Sequence, residues 1–132
     1  AFLSPYPESL NAAARPYWES QGFEIVAMAG PQLEKSEFHP IYAMSAASVF
    51  DAYAKLAKTD ADAVLMLGTG MATLEPHLEG QAQGFLPTVS CNMALTWLSV
   101  QRASGQVPDK RSLERWISGA HWRPRLQVLF GS

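Results

Sequence analysis

Apolar residues of the chain gather in short runs, and longer amphipathic stretches separate them. Four of these runs predict β-strands, over residues 1–4, 23–29, 63–67 and 86–90. The third run holds five consecutive apolar residues without alternation, which is typical of a strand covered on both faces. The pattern therefore favours a buried parallel sheet.

The stretches after the first two runs carry helical signals. Pro7 and Glu8 favour the start of a helix that ends at Gly22, and Pro16 predicts a kink or an early end inside it. Ser45 is a good N-cap for the second helix. Helical spacing gives that helix four core-facing residues: Val49, Ala52, Tyr53 and Leu56.

The rest of the chain predicts three further helices. One covers 71–78, and the next covers 92–100 as a buried helix that contributes Leu95, Trp97 and Leu98 to the core. Asp109 caps a last helix over 110–117, and the tail to Ser132 is predicted to be irregular.

Strands that alternate with helices predict an α/β fold, with a four-stranded parallel sheet and helices on both faces. A length of 132 residues suits one domain, so we expect residues 1–132 to form a single α/β unit. Because the first residue is Ala1 rather than Met, we also expect the chain to be a piece or a processed product of a longer protein.

Charge and composition narrow the classes of partner. Ten Lys plus Arg against twelve Asp plus Glu leave a net charge of -2, so nucleic acid is a poor default partner. No apolar run approaches the roughly 20 residues of a membrane span, so we expect a chain without membrane contact. One cysteine and three scattered histidines argue against a disulfide framework and a metal site. We expect a cytoplasmic protein that needs no cofactor.

Ligands of open parallel sheets bind outside the carboxyl ends of the strands. The turns at that edge are predicted at residues 4–6, 30–39, 68–70 and 90–92. Gly68-Thr69-Gly70 is the sharpest signal, because two glycines let a carboxylate or phosphate approach the backbone and the following helix would point its free N–H groups at it. A tight turn that needs glycine dihedrals is the equally weighted alternative.

Other candidates at this edge are Tyr6, His39, Cys91 and Asn92. Tyr6 offers a hydroxyl to an anion, or else is a core tyrosine. Cys91 begins a helix whose dipole would favour the thiolate, but a packing role is the preferred interpretation. His77 and His121 are expected at the surface. Five aromatic residues at helical spacing are expected in the core: Tyr17, Trp18, Tyr53, Trp97 and Trp116.

Three ordered motifs carry a resemblance to a known family. They are SPYPESLN followed by GFEIV over residues 4–11 and 22–26, DAVLMLGTGMATL over 62–74, and PTVSCNMALTW over 87–97. Together they resemble the second half of aspartate/glutamate racemase superfamily proteins, in the branch of arylmalonate decarboxylase and maleate cis-trans isomerase. The resemblance implies two pseudo-symmetric α/β halves with an active site between them.

The resemblance also implies roles for individual residues. Tyr6 matches the family's carboxylate-binding tyrosine, and Thr69 and Gly70 match its backbone donors. His39 falls near a ligand-contacting position of the isomerases. Gly68 stands where the family's second-half cysteine normally lies, so that thiol is absent, and Cys91 does not match the catalytic position.

The sequence thus predicts a cofactor-independent racemase, isomerase or decarboxylase that acts at the carbon next to the carboxylate of a small carboxylic or dicarboxylic acid. The alternatives are a catalytically silent carboxylate-binding domain and an enzyme in which Cys91 has become the reactive group. The expected partners are the acid, an amino-terminal half or a second chain that completes the site, and further copies of the chain through self-association.

Overall fold

The computed structural model of the protein describes residues 1–31 and 44–130. These residues divide into two compact units, Ala1–Cys91 and Asn92–Ser132, and each is described by itself. The predicted single domain over 1–132 stays a prediction.

The first unit contains the sheet. Its strands are β1 (Phe2–Leu3), β2 (Met28–Ala29), β3 (Val64–Met66) and β4 (Thr88–Ser90). They pair in parallel in the order β2-β1-β3-β4, with Leu3 opposite both Ala29 and Met66. The predicted α/β class with a four-stranded parallel sheet is confirmed.

Three helices connect these strands: α1 (Glu8–Ser20), α2 (Ala46–Leu56) and α3 (Leu74–Ala82). The second follows its prediction closely, because the Ser45 side chain accepts a hydrogen bond from the Ser48 N–H at 3.2 Å. All four predicted core residues of α2 are buried. A local cap and a complete apolar stripe were sufficient to define this helix.

Side chains of β1 and β3 alternate between the two faces of the sheet. Leu3, Val64 and Met66 pack with α2 in one cluster, and Phe2 and Leu65 lie in a second cluster with Trp18 of α1. Trp18 makes an edge-to-face contact with Phe2, with ring centroids 5.2 Å apart. Helices therefore cover both faces of the sheet.

The packing of α2 against α3 depends on Gly80. A Cβ atom there would overlap Cε1 of Tyr53 and lie 2.9 Å from its Cζ. The Tyr53 hydroxyl donates a hydrogen bond to the Leu86 carbonyl oxygen, and burial raises the pKa of Tyr53 to about 12. Gly80 and Leu86 thus both confine the hydroxyl end of the Tyr53 ring in the core.

The second unit is helical. Helix α4 (Cys91–Ala103) begins directly after β4 and runs on into this unit, which also contains α5 (Lys110–Ile117) and α6 (Arg123–Phe130). Asp109 caps α5 as predicted, through reciprocal hydrogen bonds with Ser112. The indole N–H of Trp122 donates to the Trp116 carbonyl oxygen at 2.7 Å.

Several local expectations were wrong at the ends of the predicted elements. Helix α1 continues through Pro16 to Ser20, so the early end predicted as one alternative to a kink does not occur. The second strand pairs only over Met28–Ala29 rather than 23–29, and the tail forms α6 instead of an irregular segment. Gly22, with φ of +88°, ends the first helical region as expected.

Burial was also mispredicted at several positions. No residue of α4 is buried, and Leu95, expected in the core with Trp97 and Leu98, is 62% exposed. Tyr17, expected in the core, is 61% exposed. His77, expected at the surface, is buried on α3.

We predict that Gly80→Ala destabilises the protein by about 1–3 kcal/mol through overpacking against Tyr53. Glycine-to-alanine changes in helices normally stabilise by roughly 0.5–1 kcal/mol, so the sign of the effect is diagnostic. Urea unfolding measures it. In a Tyr53→Ala background the cost should disappear, and an unchanged cost there would contradict the contact.

Candidate functional site

The strand order creates a crevice between β1 and β3. After β1 the chain passes through α1 to β2 on one side, and after β3 it passes through α3 to β4 on the other. The two loops therefore diverge from adjacent strand ends, which is where ligands bind in open α/β sheets. Residues 4–7 and 67–73 form these loops, and we call the crevice between them the β1/β3 crevice.

Hydrogen bonds to β2 and β1 hold the first residue of each loop in place. The Ser4 N–H donates to the Ala29 carbonyl oxygen at 2.9 Å, and the Leu67 N–H donates to the Leu3 carbonyl oxygen at 2.8 Å. A Cβ atom on Gly30 would lie 2.5 Å from the Ser4 carbonyl oxygen, so the end of β2 also approaches this loop closely. The first residue of each loop is therefore fixed relative to the sheet.

The loop after β1 is organised by two polar side chains. The Ser4 hydroxyl donates to Oδ1 of Asn11 at 2.6 Å and accepts from the Tyr6 N–H at 3.3 Å. Nδ2 of Asn11 in turn donates to the Tyr6 carbonyl oxygen at 2.9 Å. Both main-chain polar groups of Tyr6 are thereby bonded, while its side chain is 37% exposed.

The loop after β3 passes directly beneath the first loop. Gly68 has φ of +88°, and a Cβ atom on it would lie 2.7 Å from Cγ of Pro5 and 3.7 Å from the hydroxyl oxygen of Tyr6. No other residue fits this position without movement of the neighbouring loop. The Tyr6 hydroxyl therefore lies beside the backbone that the predicted anion site uses.

Thr69 and Gly70 follow on the same loop, with Thr69 exposed and Gly70 half-buried. The helix predicted to begin at Met71 begins instead at Leu74, three residues further along. Met71 and Thr73 are buried and hold the intervening segment in the core. The free N–H groups of α3 consequently do not follow the glycine turn directly, and only the turn's own backbone lies at the crevice.

Cys91 lies at the end of β4, one strand further from the crevice. It is half-buried and packs against the cluster of Phe2, Ile25 and Leu67. Its surroundings are those of a packing residue, which was the preferred interpretation.

Asn92 and His39 are the two remaining candidates. Asn92 is exposed at the first position of the second unit. His39 lies outside the described residues. Among residues 1–31 and 44–130, no group of three or more potential ligands could hold a metal ion. Within the same residues, no helix has the length and apolar character to cross a membrane.

Sequence reasoning missed Ser4 and Asn11. Ser4 was placed in the turn at residues 4–6, and both residues lie in the SPYPESLN motif, but neither was given a role of its own. Asparagine is a weak helix former whose side chain competes for backbone groups, so its place in the first turns of α1 was the available signal.

Comparison with known proteins identifies a family. A family model described as arylmalonate decarboxylase matches residues 1–113. This span includes both loops of the β1/β3 crevice. Searches of curated proteins and of solved structures found no significant match.

We predict that Gly68→Ala destabilises the protein more than Gly22→Ala does. Both glycines have φ of +88°, but nothing lies within 4 Å of a Cβ at position 22, whereas Pro5 stands in the way at 68. Backbone strain alone should cost about 1–2 kcal/mol at Gly22, and overpacking should add roughly 1–3 kcal/mol at Gly68. Equal losses in chemical denaturation would show that the loops can separate freely.

For Cys91 we predict slow alkylation by iodoacetamide in the folded protein and rapid alkylation in denaturant, because the thiol packs among apolar side chains. Mass spectrometry follows the modification over time. Rapid labelling of the native protein that a small dicarboxylate blocks would instead make Cys91 a reactive group.

Proposed function

The chain belongs to the arylmalonate decarboxylase family, and from that premise we propose that it binds the carboxylate of a small dicarboxylic acid at the β1/β3 crevice and acts at the adjacent carbon. The family is one of decarboxylase and racemase type. The observation that carries the proposal is the position of the Tyr6 hydroxyl, 3.7 Å from where a Cβ of residue 68 would stand.

The proposed binding mode uses donors from both loops. The Tyr6 hydroxyl donates to one carboxylate oxygen, and backbone N–H groups of Thr69 and Gly70 donate to the other. Gly70 has no side chain that would stand between this backbone and the ligand. Hydrogen bonds to a charged acceptor are worth roughly 1.5–3 kcal/mol each, which suits a small anion held at a partly exposed edge.

The same donors suit the chemistry of decarboxylation. When an aryl-substituted malonate loses carbon dioxide, the electron pair of the broken carbon–carbon bond passes to the remaining carboxylate and forms an enediolate. Donors already aimed at its oxygens stabilise the developing charge. A proton must then be added to the α-carbon to complete the product.

Residue 68 cannot supply that proton, because glycine has no side chain. In the proposal, the donor is a group of a second α/β half, present as an amino-terminal half or as a second chain, or a water molecule that such a half orders. Self-association of the chain would be one way to complete the site.

A specific observation favours a second candidate function. Gly68 lacks the family's thiol, and the positive φ together with Pro5 leaves no room for any side chain there. The chain would then be a carboxylate-binding domain without turnover. Both candidates predict binding, so a binding measurement does not separate them. Only the enzyme releases carbon dioxide.

The test measures phenylmalonate binding by calorimetry and its decarboxylation by release of carbon dioxide. Tyr6→Phe removes only the hydroxyl, so we expect affinity to fall by about 10- to 100-fold, in line with the loss of one hydrogen bond to a charged group. Tyr17→Phe is the matched control, since Tyr17 is exposed on α1 and should leave affinity unchanged.

Each outcome has a distinct meaning. Binding with turnover supports the enzyme. Binding without turnover supports the silent domain when it is found in the self-associated chain or in a protein that carries both halves. No binding by the protein, or equal affinity in Tyr6→Phe, would overturn the proposed site.

A further inference from the structure

We propose that Ser4 and Asn11 are positioning residues that set the Tyr6 hydroxyl against the β3 loop. The inference rests on the proposed function, in which Tyr6 binds the carboxylate. It adds two residues, neither of which contacts the ligand, to the machinery of the β1/β3 crevice.

The side chains of Ser4 and Asn11 use their hydrogen-bonding groups on each other and on Tyr6. Ser4 uses its hydroxyl both as donor, to Asn11, and as acceptor, from the Tyr6 N–H. Asn11 uses its oxygen toward Ser4 and its nitrogen toward the Tyr6 carbonyl. The three residues form a closed ring of hydrogen bonds that fixes the backbone on both sides of the Tyr6 Cα.

The sheet and helix α1 hold this ring of hydrogen bonds in place. Ser4 is 2% exposed, and its own N–H is bonded to β2, so it cannot shift without disturbing the sheet. Asn11 belongs to α1, where its N–H donates to the Pro7 carbonyl oxygen at 3.0 Å. The backbone of Tyr6 is therefore hydrogen-bonded to a residue anchored in the sheet and to a residue of helix α1.

The side chain of Asn11 bonds to the loop before α1 and does not cap the helix. Helix α1 has Pro7 as N-cap and receives no side-chain cap hydrogen bond. Asn11 lies in the first turns of the helix, yet it reaches back to residue 6, outside the helix. Its side chain bonds to the loop, whose Pro5 ring and Tyr6 hydroxyl both lie beside Gly68.

A purely structural role would predict a loss of stability and nothing else. Positioning predicts that the effect of the network on ligand affinity passes through the Tyr6 hydroxyl. The two roles separate when the network is altered in the presence and in the absence of that hydroxyl.

The experiment therefore uses a double-mutant cycle with phenylmalonate as the probe. Ser4→Ala removes two of the hydrogen bonds, and Asn11→Asp keeps the shape but loses the donor to the Tyr6 carbonyl. We expect Ser4→Ala to weaken phenylmalonate affinity five- to twentyfold in the Tyr6 protein and less than twofold in Tyr6→Phe. Asn11→Asp adds a charge that repels the ligand in both backgrounds, so we expect its loss to be at least fivefold larger in the Tyr6 protein than in Tyr6→Phe. Ser20→Ala, which removes a serine hydrogen bond elsewhere on α1, is the matched control and should change neither value.

A second readout needs no ligand. With carbon-13 in the tyrosine rings, Ser4→Ala and Asn11→Asp should shift and broaden the Tyr6 resonance and leave that of Tyr17 in place. If Ser4→Ala does not fold, Asn11→Asp alone carries both measurements.

The outcomes separate the two proposals. Equal affinity losses in both backgrounds, or no loss in the Tyr6 protein, would overturn the positioning role while the proposed function stands. If Tyr6→Phe itself leaves affinity unchanged, the proposed function fails, and an undisturbed Tyr6 resonance in Asn11→Asp would overturn the positioning role as well.

Discussion

The close approach of two loops at the carboxyl ends of β1 and β3 is the constraint on which this site depends. Pro5 occupies the space that a Cβ atom of residue 68 would need, so the β3 loop must turn through glycine with a positive φ. Because both loops are bonded to neighbouring strands at their roots, neither can withdraw to relieve the contact. The geometry that puts the Tyr6 hydroxyl beside the backbone at residue 68 follows from this crowding.

The same constraint limits the chemistry. The family resemblance places a cysteine at position 68, where its thiol would lie next to the Tyr6 hydroxyl. In this chain Pro5 occupies that space. The function that we propose for the crevice is anion binding, through the Tyr6 hydroxyl and the backbone of the glycine turn. Binding and proton transfer are thus separable functions, and this chain carries residues suited to the first of them.

Sequence alone was sufficient wherever one local signal decided the structure. Ser45 and Asp109 cap the helices predicted for them, and the unbroken apolar run at 63–67 contains the buried strand β3. Prediction from the sequence failed where the outcome depended on residues distant in the chain. The apolar residues of α4 have helical spacing, but spacing does not say which partner covers them. The site was predicted as a set of turns, and the Tyr6 hydroxyl does lie beside Gly68. The hydrogen bonds among Ser4, Asn11 and Tyr6 lie within one motif, but they depend on side-chain geometry that residue spacing does not give.

Rigidity of the β3 loop links the core to the crevice. At one end Gly68 is confined by Pro5, and beyond the other end Gly80 of α3 is confined by the Tyr53 ring. Met71 and Thr73, between these points, are buried. A loop held at so many positions loses little conformational freedom when an anion arrives, and preorganised donors stabilise charge without first having to reorient. Ser4 and Asn11 extend the same principle to the opposite loop, so that the two sides of the crevice are fixed independently, one by apolar packing and the other by hydrogen bonds.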